Sequence, residues 1–425
     1  MQTNCRFVLT MQNTWMLRLP GRHKSGAGAG NKDGLGSAPL DIDGCLIVKL
    51  FVAKEPSDET RTATSPDAIK RLAGLGIETV VEAGAGQKAG MPDWVLEEAG
   101  ASIASDAAMA RSEADILVTV QPPAPDSLTG AKKGALLLGF LSPYADHARL
   151  EAYAVTGVSA FAFEFIPRIT RAQTMDALSS QANLGGYSAV IQAAAAFGRA
   201  FPMMVTAAGT IAPARVLVLG AGVAGLQAIA TARRLGAVVS AMDVRPVARE
   251  QVESLGATFV DVESEEARMA ETRGGYAREM SSDYRVRQAE KLMEVLPRTD
   301  MVITTALIPG RPAPVLMSRQ MVEAMRPGSV VVDMAVAQGG NVEPSRAGET
   351  VEFNGVHIIG DINLPGRVPT DASALYSRNI VNFLSPLVDS ETKELKIDWE
   401  DEIISSSLLC RDGAITNPVL LEKKE

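Results

Sequence analysis

Gly220, Gly222 and Gly225 follow a β-branched run, Val216 to Leu219, and an Ala/Leu-rich helical pattern comes after them. A turn of this kind handles phosphates. The first glycine permits a tight strand-to-helix reversal, the second lets backbone approach a pyrophosphate, and the third lets the helix pack closely. Free N–H groups and the positive end of the helix dipole then face the anion. A second apolar run, Ala237 to Met242, ends at Asp243, with Val244 and Arg245 behind it. A carboxylate at that spacing accepts hydrogen bonds from a ribose and repels a 2′-phosphate, which predicts NAD(H) in preference to NADP(H). Arg245 is near enough to blur that preference without cancelling it. A glycine triplet alone also fits a plain βα turn, but strand, helix and terminal acid together favour a dinucleotide site.

The chemistry such a nucleotide would serve is narrowed by what is missing. Oxidising an alcohol or amine by hydride transfer also removes a proton, usually through a His, Lys or carboxylate. His23, His147 and His357 are scattered, and the strand ends VTVQPPAP and GFLSPY offer Gln121 and Phe140. Neither exchanges protons near neutrality. Hydride exchange between two nicotinamides needs no such group, because only H⁻ moves and positioning does nearly all the work. The densest polar motif, PRITRAQTMDALSSQAN (residues 167–183), offers Arg168, Gln173, Asp176 and Ser179 to a carboxamide, with Ile169 and Thr170 beside Arg168. The same segment also reads as a capped helix start, with Thr170 or Thr174 as cap and Asp176 inside the first turn. ETRGGYAREM (residues 271–280) reads either as a lid around Gly275 and Tyr276 or as an ordinary solvated loop.

The elements that must hold these groups alternate in type. LIVKLFVA, IETVVEAG, ADILVTVQ, GALLLGFL and AYAVT through FAFEF read as strands, with SPDAIKRLAGLG and PDWVLEEAGA as helices among them. A second set runs through RVLVL, VVSAMD, ATFVDV, DMVITTA, GSVVVDMA and VHIIGD. The alternation predicts an α/β protein of two doubly wound parallel-sheet, Rossmann-like domains with the nucleotide in the cleft between them. NLGGYSAVIQAAAAFGRAF reads as a long helix into the second domain, and ALYSRNIVNFLSPLV as the helix that returns. The first domain is then discontinuous, residues 45–178 plus 370–425, with 179–369 as the NAD(H)-binding domain. Residues 1–44, acid-free at the start and linker-like after Lys24, read as a disordered or non-native extension. GAGQKAG (residues 84–90) and GAGAG (residues 26–30) lack the flanking strand or acid and read as loops.

Composition excludes several other classes. A chain of 425 residues with 46% hydrophobic and 21% charged residues is an ordinary globular protein of two or three domains. Its net charge of −9 argues against nucleic acid or an anionic membrane surface as main partner. Three cysteines without metal spacing or an even disulfide set suit a reducing compartment and predict no metal site. The most apolar stretch, residues 189–218, is broken by Arg199, Pro202, Pro213 and Arg215, so the chain reads as soluble.

From about residue 46 to its end the chain resembles the NAD(H)-binding domain I of the alpha subunit of proton-translocating NAD(P) transhydrogenases. PRITRAQTMDALSSQANLGGY, LGAGVAGLQAIATARRLGA, GGYAREMS, TTALIPGRPAPVLM and NLPGRVPTDAS carry the resemblance. It implies that NAD(H) is bound as a substrate and that Arg168, Gln173, Asp176 and Ser179 orient its nicotinamide, Gln173 lying nearest the hydride path. It implies further that Asp243 to Arg245 recognise the ribose, that Gly275 and Tyr276 close over the nucleotide, and that Gln288 and Leu307 add contacts. The partners it implies are a second copy of the chain, the NADP(H)-binding domain of a beta subunit, and a membrane-embedded subunit. Hydride transfer would be coupled through them to proton translocation, with the chain cytoplasmic and peripheral to the inner membrane. Residues 1–44 have no counterpart in that pattern, and an end at Glu425 without membrane helices corresponds to the split-subunit form.

Two other readings compete. An alanine dehydrogenase-like enzyme shares Glu59-Thr-Arg61 and Thr64-Ser-Pro66, but requires Lys and His where this chain has Gln121 and Phe140. A non-catalytic NAD(H)-binding sensor would keep the glycine turn and Asp243 without needing the Arg168–Ser179 cluster or the Tyr276 loop.

Overall fold

The computed structural model describes residues 47–262 and 280–421. Gly275, Tyr276 and the extension over residues 1–44 lie outside the described residues.

The chain first lays down β1 (Val48–Val52), α1 (Pro66–Gly74), β2 (Ile77–Glu82), α2 (Asp93–Glu98) and β3 (Ser102–Ala104). There follow α3 (Ala107–Glu113), β4 (Ile116–Val118), β5 (Leu136–Gly139), α4 (His147–Thr156) and β6 (Ser159–Ala162). Helix α5 (Ala177–Ala196) leads away to an exposed hairpin of β7 (Met204–Thr206) and β8 (Gly209–Ile211). The second sheet starts with β9 (Arg215–Leu219), α6 (Val223–Arg234), β10 (Val238–Met242), α7 (Val247–Ser254) and β11 (Thr258–Phe259). It continues through α8 (Ser282–Val295), β12 (Met301–Thr304), α9 (Arg319–Glu323), β13 (Val330–Asp333), β14 (Thr350–Phe353) and β15 (Val356–Ile359). Helix α10 (Pro369–Leu384) returns to the first sheet, followed by α11 (Glu402–Ser407), β16 (Leu408–Arg411), β17 (Ala414–Ile415) and α12 (Pro418–Leu421).

The strand orders are β17-β16-β6-β5-β4-β1-β2-β3 and β11-β10-β9-β12-β13-β15-β14. In each sheet the order reverses between two central parallel strands, β1 and β4 in the first and β9 and β12 in the second. Ligands of open α/β sheets bind at such reversals, beyond the carboxyl ends of the strands. Both faces of the sheets are covered, so the central strands are buried over most of their length. Leu50 and Val52 enter one core while Phe51 enters the other, and Met301 and Ile303 oppose Val302 in the same way. That is why these strands read as unbroken apolar runs.

The structure departs from the sequence expectation in two places. AYAVT is not a strand: it is the last half of α4, whose Leu150, Tyr153 and Ala154 are buried at helical spacing and whose end is set by Gly157 at φ 82°. The sheets are also mixed rather than wholly parallel. Asn354-Gly355 (φ 51° and 73°) and Asp412-Gly413 (φ 51° and 83°) have the positive φ pairs of tight two-residue turns. They fold β14 back on β15 and β17 back on β16, leaving antiparallel edges.

Helix α5 is the strut that joins the first sheet's site elements to the glycine turn. Its alanine- and glycine-rich sequence lets it lie close to its neighbours. A Cβ at Gly186 would fall 2.1 Å from the Ala224 carbonyl oxygen, in the first turn of α6. Among the described residues no helix is long and apolar enough to cross a membrane.

Candidate dinucleotide site

The three glycines of the β9–α6 turn differ in what constrains them. Gly220 has φ +100°, and a Cβ there would meet Thr305 Oγ1 at 2.5 Å. A Cβ at Gly225 would lie 1.9 Å from the Gly220 carbonyl oxygen, so the helix can seat on the turn only without one. Gly222 is extended, with nothing within 4 Å of its missing Cβ, and it caps α6 without a side-chain hydrogen bond. Two glycines therefore shape the turn and the third leaves space beside the helix N-terminus. Val223 begins that helix and is 40% exposed.

Asp243 reaches this turn directly. Its Oδ2 accepts from Ala221 N (2.7 Å) and Arg245 Nη2 (2.9 Å), and its Oδ1 accepts from Arg245 N (2.8 Å) and Nε (3.0 Å). The acid thus pins the glycine loop to the end of β10 and is neutralised by a forked guanidinium. The pairing is much tighter than the nearness inferred from spacing, and it weakens the charge argument against a 2′-phosphate. Val244, between them, is half-buried. Gln288 on α8 donates to Met242 Sδ at 3.6 Å, which places it beside the same strand end. Leu307 is 37% exposed on the loop after β12, next to Ala306, whose N–H and carbonyl both bond to the Asn341 side chain.

The polar motif ahead of α5 forms a 3-10 turn, Thr170–Met175, and then the helix. The cap is Asp176 itself, not Thr170 or Thr174. Its Oδ1 accepts from Ser179 N at 2.8 Å and its Oδ2 from Ser179 Oγ at 2.6 Å. Arg168, Thr170 and Gln173 are exposed on the approach, and half-buried Ile169 packs on the first core. Asp176 and Ser179 are brought together by hydrogen bonds. Along α5, Ser179 and Gly186 are about 10 Å apart at the helical rise per residue.

The structure also corrects the expectation that this region lacks an acid or base near neutrality. Glu55, just after β1, accepts from Val120 N (2.6 Å) and Gln121 N (3.0 Å) across the β1–β4 reversal. Burial pushes its carboxyl up to about 7. Burial does the same to Glu164, after β6, also to about 7. Burial would raise Glu59 too, but hydrogen bonds and charge from Arg61 override it and carry the group down to about 2. Arg61 grips Glu59 through Nε (2.9 Å) and Nη2 (2.8 Å) and reaches Gln181 through Nη1 (2.9 Å). Acidic residues after β1 are visible in KEPSDETR; their burial is not.

These contacts also settle what Gln121 and Phe140 do. Gln121 donates its amide to Glu59 at 2.7 Å. Phe140 packs in an aromatic group with Tyr376 (centroids 5.2 Å apart) and Phe163 (6.4 Å).

Comparison with known proteins agrees with this architecture. The model of the alanine dehydrogenase/PNT C-terminal domain matches residues 189–418, and that of the N-terminal domain matches residues 51–185. The first part of the NAD(P) transhydrogenase alpha subunit of Rhodospirillum rubrum is 52% identical over 379 residues, 88% of this chain and 99% of that protein. The crystal structure of transhydrogenase from Sinorhizobium meliloti matches with a TM-score of 0.79 at 48% identity, over 86% of this chain and 99% of that one. A structure of L-alanine dehydrogenase matches with a TM-score of 0.74 but only 26% identity, over 88% and 98% of the two chains. With its two matched domains and its identity concentrated on one branch, the chain belongs to the alanine dehydrogenase/PNT family and, within it, to the NAD(P) transhydrogenase alpha subunits.

Proposed function

We propose that this chain binds NAD(H) at the β9–α6 turn and exchanges its hydride with NADP(H) held by a partner subunit. The observation that carries the reading is the open Gly222 at the uncapped start of α6, flanked by two glycines that steric contact makes obligatory. A pyrophosphate placed there meets free N–H groups and the positive end of the helix. The adenosine ribose then faces Asp243, Val244 and Arg245, with Gln288 and Leu307 at the margins. Helix α5 carries the site on to Arg168, Ile169, Thr170, Gln173, Asp176 and Ser179, which hold the nicotinamide, Gln173 standing nearest the transferred hydride.

The relatives support a reading of the rest of the assembly. The R. rubrum relative bears a name that makes it one portion of an alpha subunit, which calls for further portions. We assign these as an NADP(H)-binding beta-subunit domain and a membrane-embedded subunit that couples transfer to proton translocation, with this chain on the cytoplasmic side of the inner membrane. A homodimer fits the β7–β8 hairpin, which exposes Met203, Met204, Val205 and Ile211. Residues 45–178 plus 370–425 form the first domain of this reading and 179–369 the nucleotide-binding one. Metal has no role in it. An alanine dehydrogenase would need proton-transfer groups where Gln121 is engaged by Glu59 and Phe140 is packed among rings.

The test is rapid mixing of the NADH-loaded chain with a transhydrogenase NADP(H)-binding domain carrying NADP⁺. Direct hydride transfer is the expected result. NAD-dependent oxidation of L-alanine without a partner would overturn the reading, and so would tight NADH binding with no transfer.

A further inference from the structure

We propose that Asn379 is a positioning residue for hydride transfer, holding the turn that carries Gln173 in register with the start of α5. The inference rests on the transhydrogenase reading above. Asn379 lies on α10, is 7% exposed and uses both ends of its carboxamide. Its Nδ2 donates to the Thr174 carbonyl at 2.9 Å, and its Oδ1 accepts from Ser180 Oγ at 2.8 Å. Thr174 neighbours Gln173, and Ser180 neighbours Ser179. One side chain thus ties together the two segments on either side of Asp176. Its orientation is fixed, because flipping the amide would set carbonyl against carbonyl at Thr174.

The bracket itself is rigid. Helix α10 is fastened to the first domain by Tyr376 Oη donating to the Thr119 carbonyl (2.7 Å) and by Ser373 Oγ accepting from Thr62 N (2.9 Å). Asn382, one turn on, adds a second donor to the Thr174 carbonyl at 2.9 Å, but its Oδ1 accepts from Arg71 (3.0 Å) where that of Asn379 accepts from Ser180. The Asp176 side chain caps its own helix, and its backbone N–H reaches back only to Gln173 within the turn (3.4 Å). The tie from the turn to α10 runs through Asn379 and Asn382, and of the two Asn379 also bonds Ser180 at the helix start. Side chains that transfer no atoms still govern rate when they set distance, and a displacement of about 1 Å can cost about 100-fold.

The experiment compares Asn379→Ala, Asn382→Ala and Ser180→Ala with the wild type, each mixed with the NADP⁺-loaded partner domain. NADH affinity is read separately from the fluorescence of bound NADH, and folding from thermal melting. We expect Asn379→Ala to slow hydride transfer by about tenfold or more while the NADH Kd stays within about twofold. Asn382→Ala should change the rate less than about threefold, and Ser180→Ala should show the same split as Asn379→Ala in smaller measure. A folded Asn379→Ala that transfers at the wild-type rate overturns the proposal, as does a parallel loss of rate and affinity. If Asn379→Ala does not fold, an unchanged rate in Ser180→Ala overturns it instead. Failure of the wild type to transfer hydride would count against the transhydrogenase reading and is distinguishable from either.

Discussion

Asp176 holds Ser179 twice, taking its backbone N–H at 2.8 Å and its hydroxyl proton at 2.6 Å. The first bond caps α5. The second spends the only proton Ser179 Oγ can donate, so that toward a ligand the hydroxyl acts as an acceptor. An acceptor is what the N–H₂ of a nicotinamide carboxamide requires. Capping and orientation can be separated by substitution. Asp176→Ala should lose about 1 kcal/mol of stability with the cap, together with most hydride transfer. Asp176→Asn restores a good cap, so the melting temperature should recover while transfer stays slow. Recovery of both would reduce Asp176 to a helix cap.

The glycine turn makes a second prediction because its members are constrained so differently. Gly222→Ala adds a methyl group into open space at an ordinary φ, so the chain should fold with wild-type stability and lose NADH affinity. Gly225→Ala drives a methyl group to within 1.9 Å of the Gly220 carbonyl oxygen and should instead unfold or displace α6. Thermal melting and NADH titration together check both. Normal NADH binding by Gly222→Ala would remove the pyrophosphate from this position.

How far the residues alone led depends on the range of the forces involved. The β9–α6 turn was legible from 215–245 because its geometry is local: one glycine at positive φ, one under a carbonyl, one acid at a strand end. The two edge hairpins were equally local, and Asn354-Gly355 and Asp412-Gly413 carried their signal in plain view. AYAVT misled because Tyr153 and Ala154 present one buried face at a spacing that a short apolar run shares between helix and strand. The buried carboxyls could not be read at all. Glu55 is plainly acidic in sequence, but its elevated proton affinity comes from burial in the folded chain, which also brings it to Val120, more than sixty residues away. Asn379 likewise meets Thr174 only because α10 returns across 205 residues.

The buried carboxyls predict how stability changes with pH. Glu55 and Glu164 hold their protons more tightly in the folded chain, near 7, than at the ordinary 4.5. Each therefore favours the folded state fully below pH 4.5, and that contribution is lost as pH rises through 7. Glu59 runs the other way: its contribution is present above pH 4.5 and is lost as pH falls toward 2. Unfolding free energy should accordingly decline between pH 5 and 8, by on the order of 3 kcal/mol for a single group shifted that far. Glu55→Gln should flatten the decline. Denaturant titrations across that range check it, and an unchanged slope in the variant would exclude Glu55 as a source.

Nucleotide choice turns on the Asp243–Arg245 pair. Among the described residues, Arg245 supplies three donors to the Asp243 carboxylate and the glycine loop supplies Ala221 N. A ribose hydroxyl must compete with that guanidinium for the acid, and a 2′-phosphate would find a cation where repulsion alone was expected. Arg245→Ala removes the competitor and the cation together, leaving an uncompensated carboxylate that is still anchored through Ala221. The ratio of the NADPH Kd to the NADH Kd should then rise by about tenfold, the equivalent of about 1.4 kcal/mol of added discrimination. Fluorescence titration with the two reduced nucleotides measures the ratio directly. A ratio that stays level or falls would mean that the paired arginine, and not the acid beneath it, sets the preference for NAD(H).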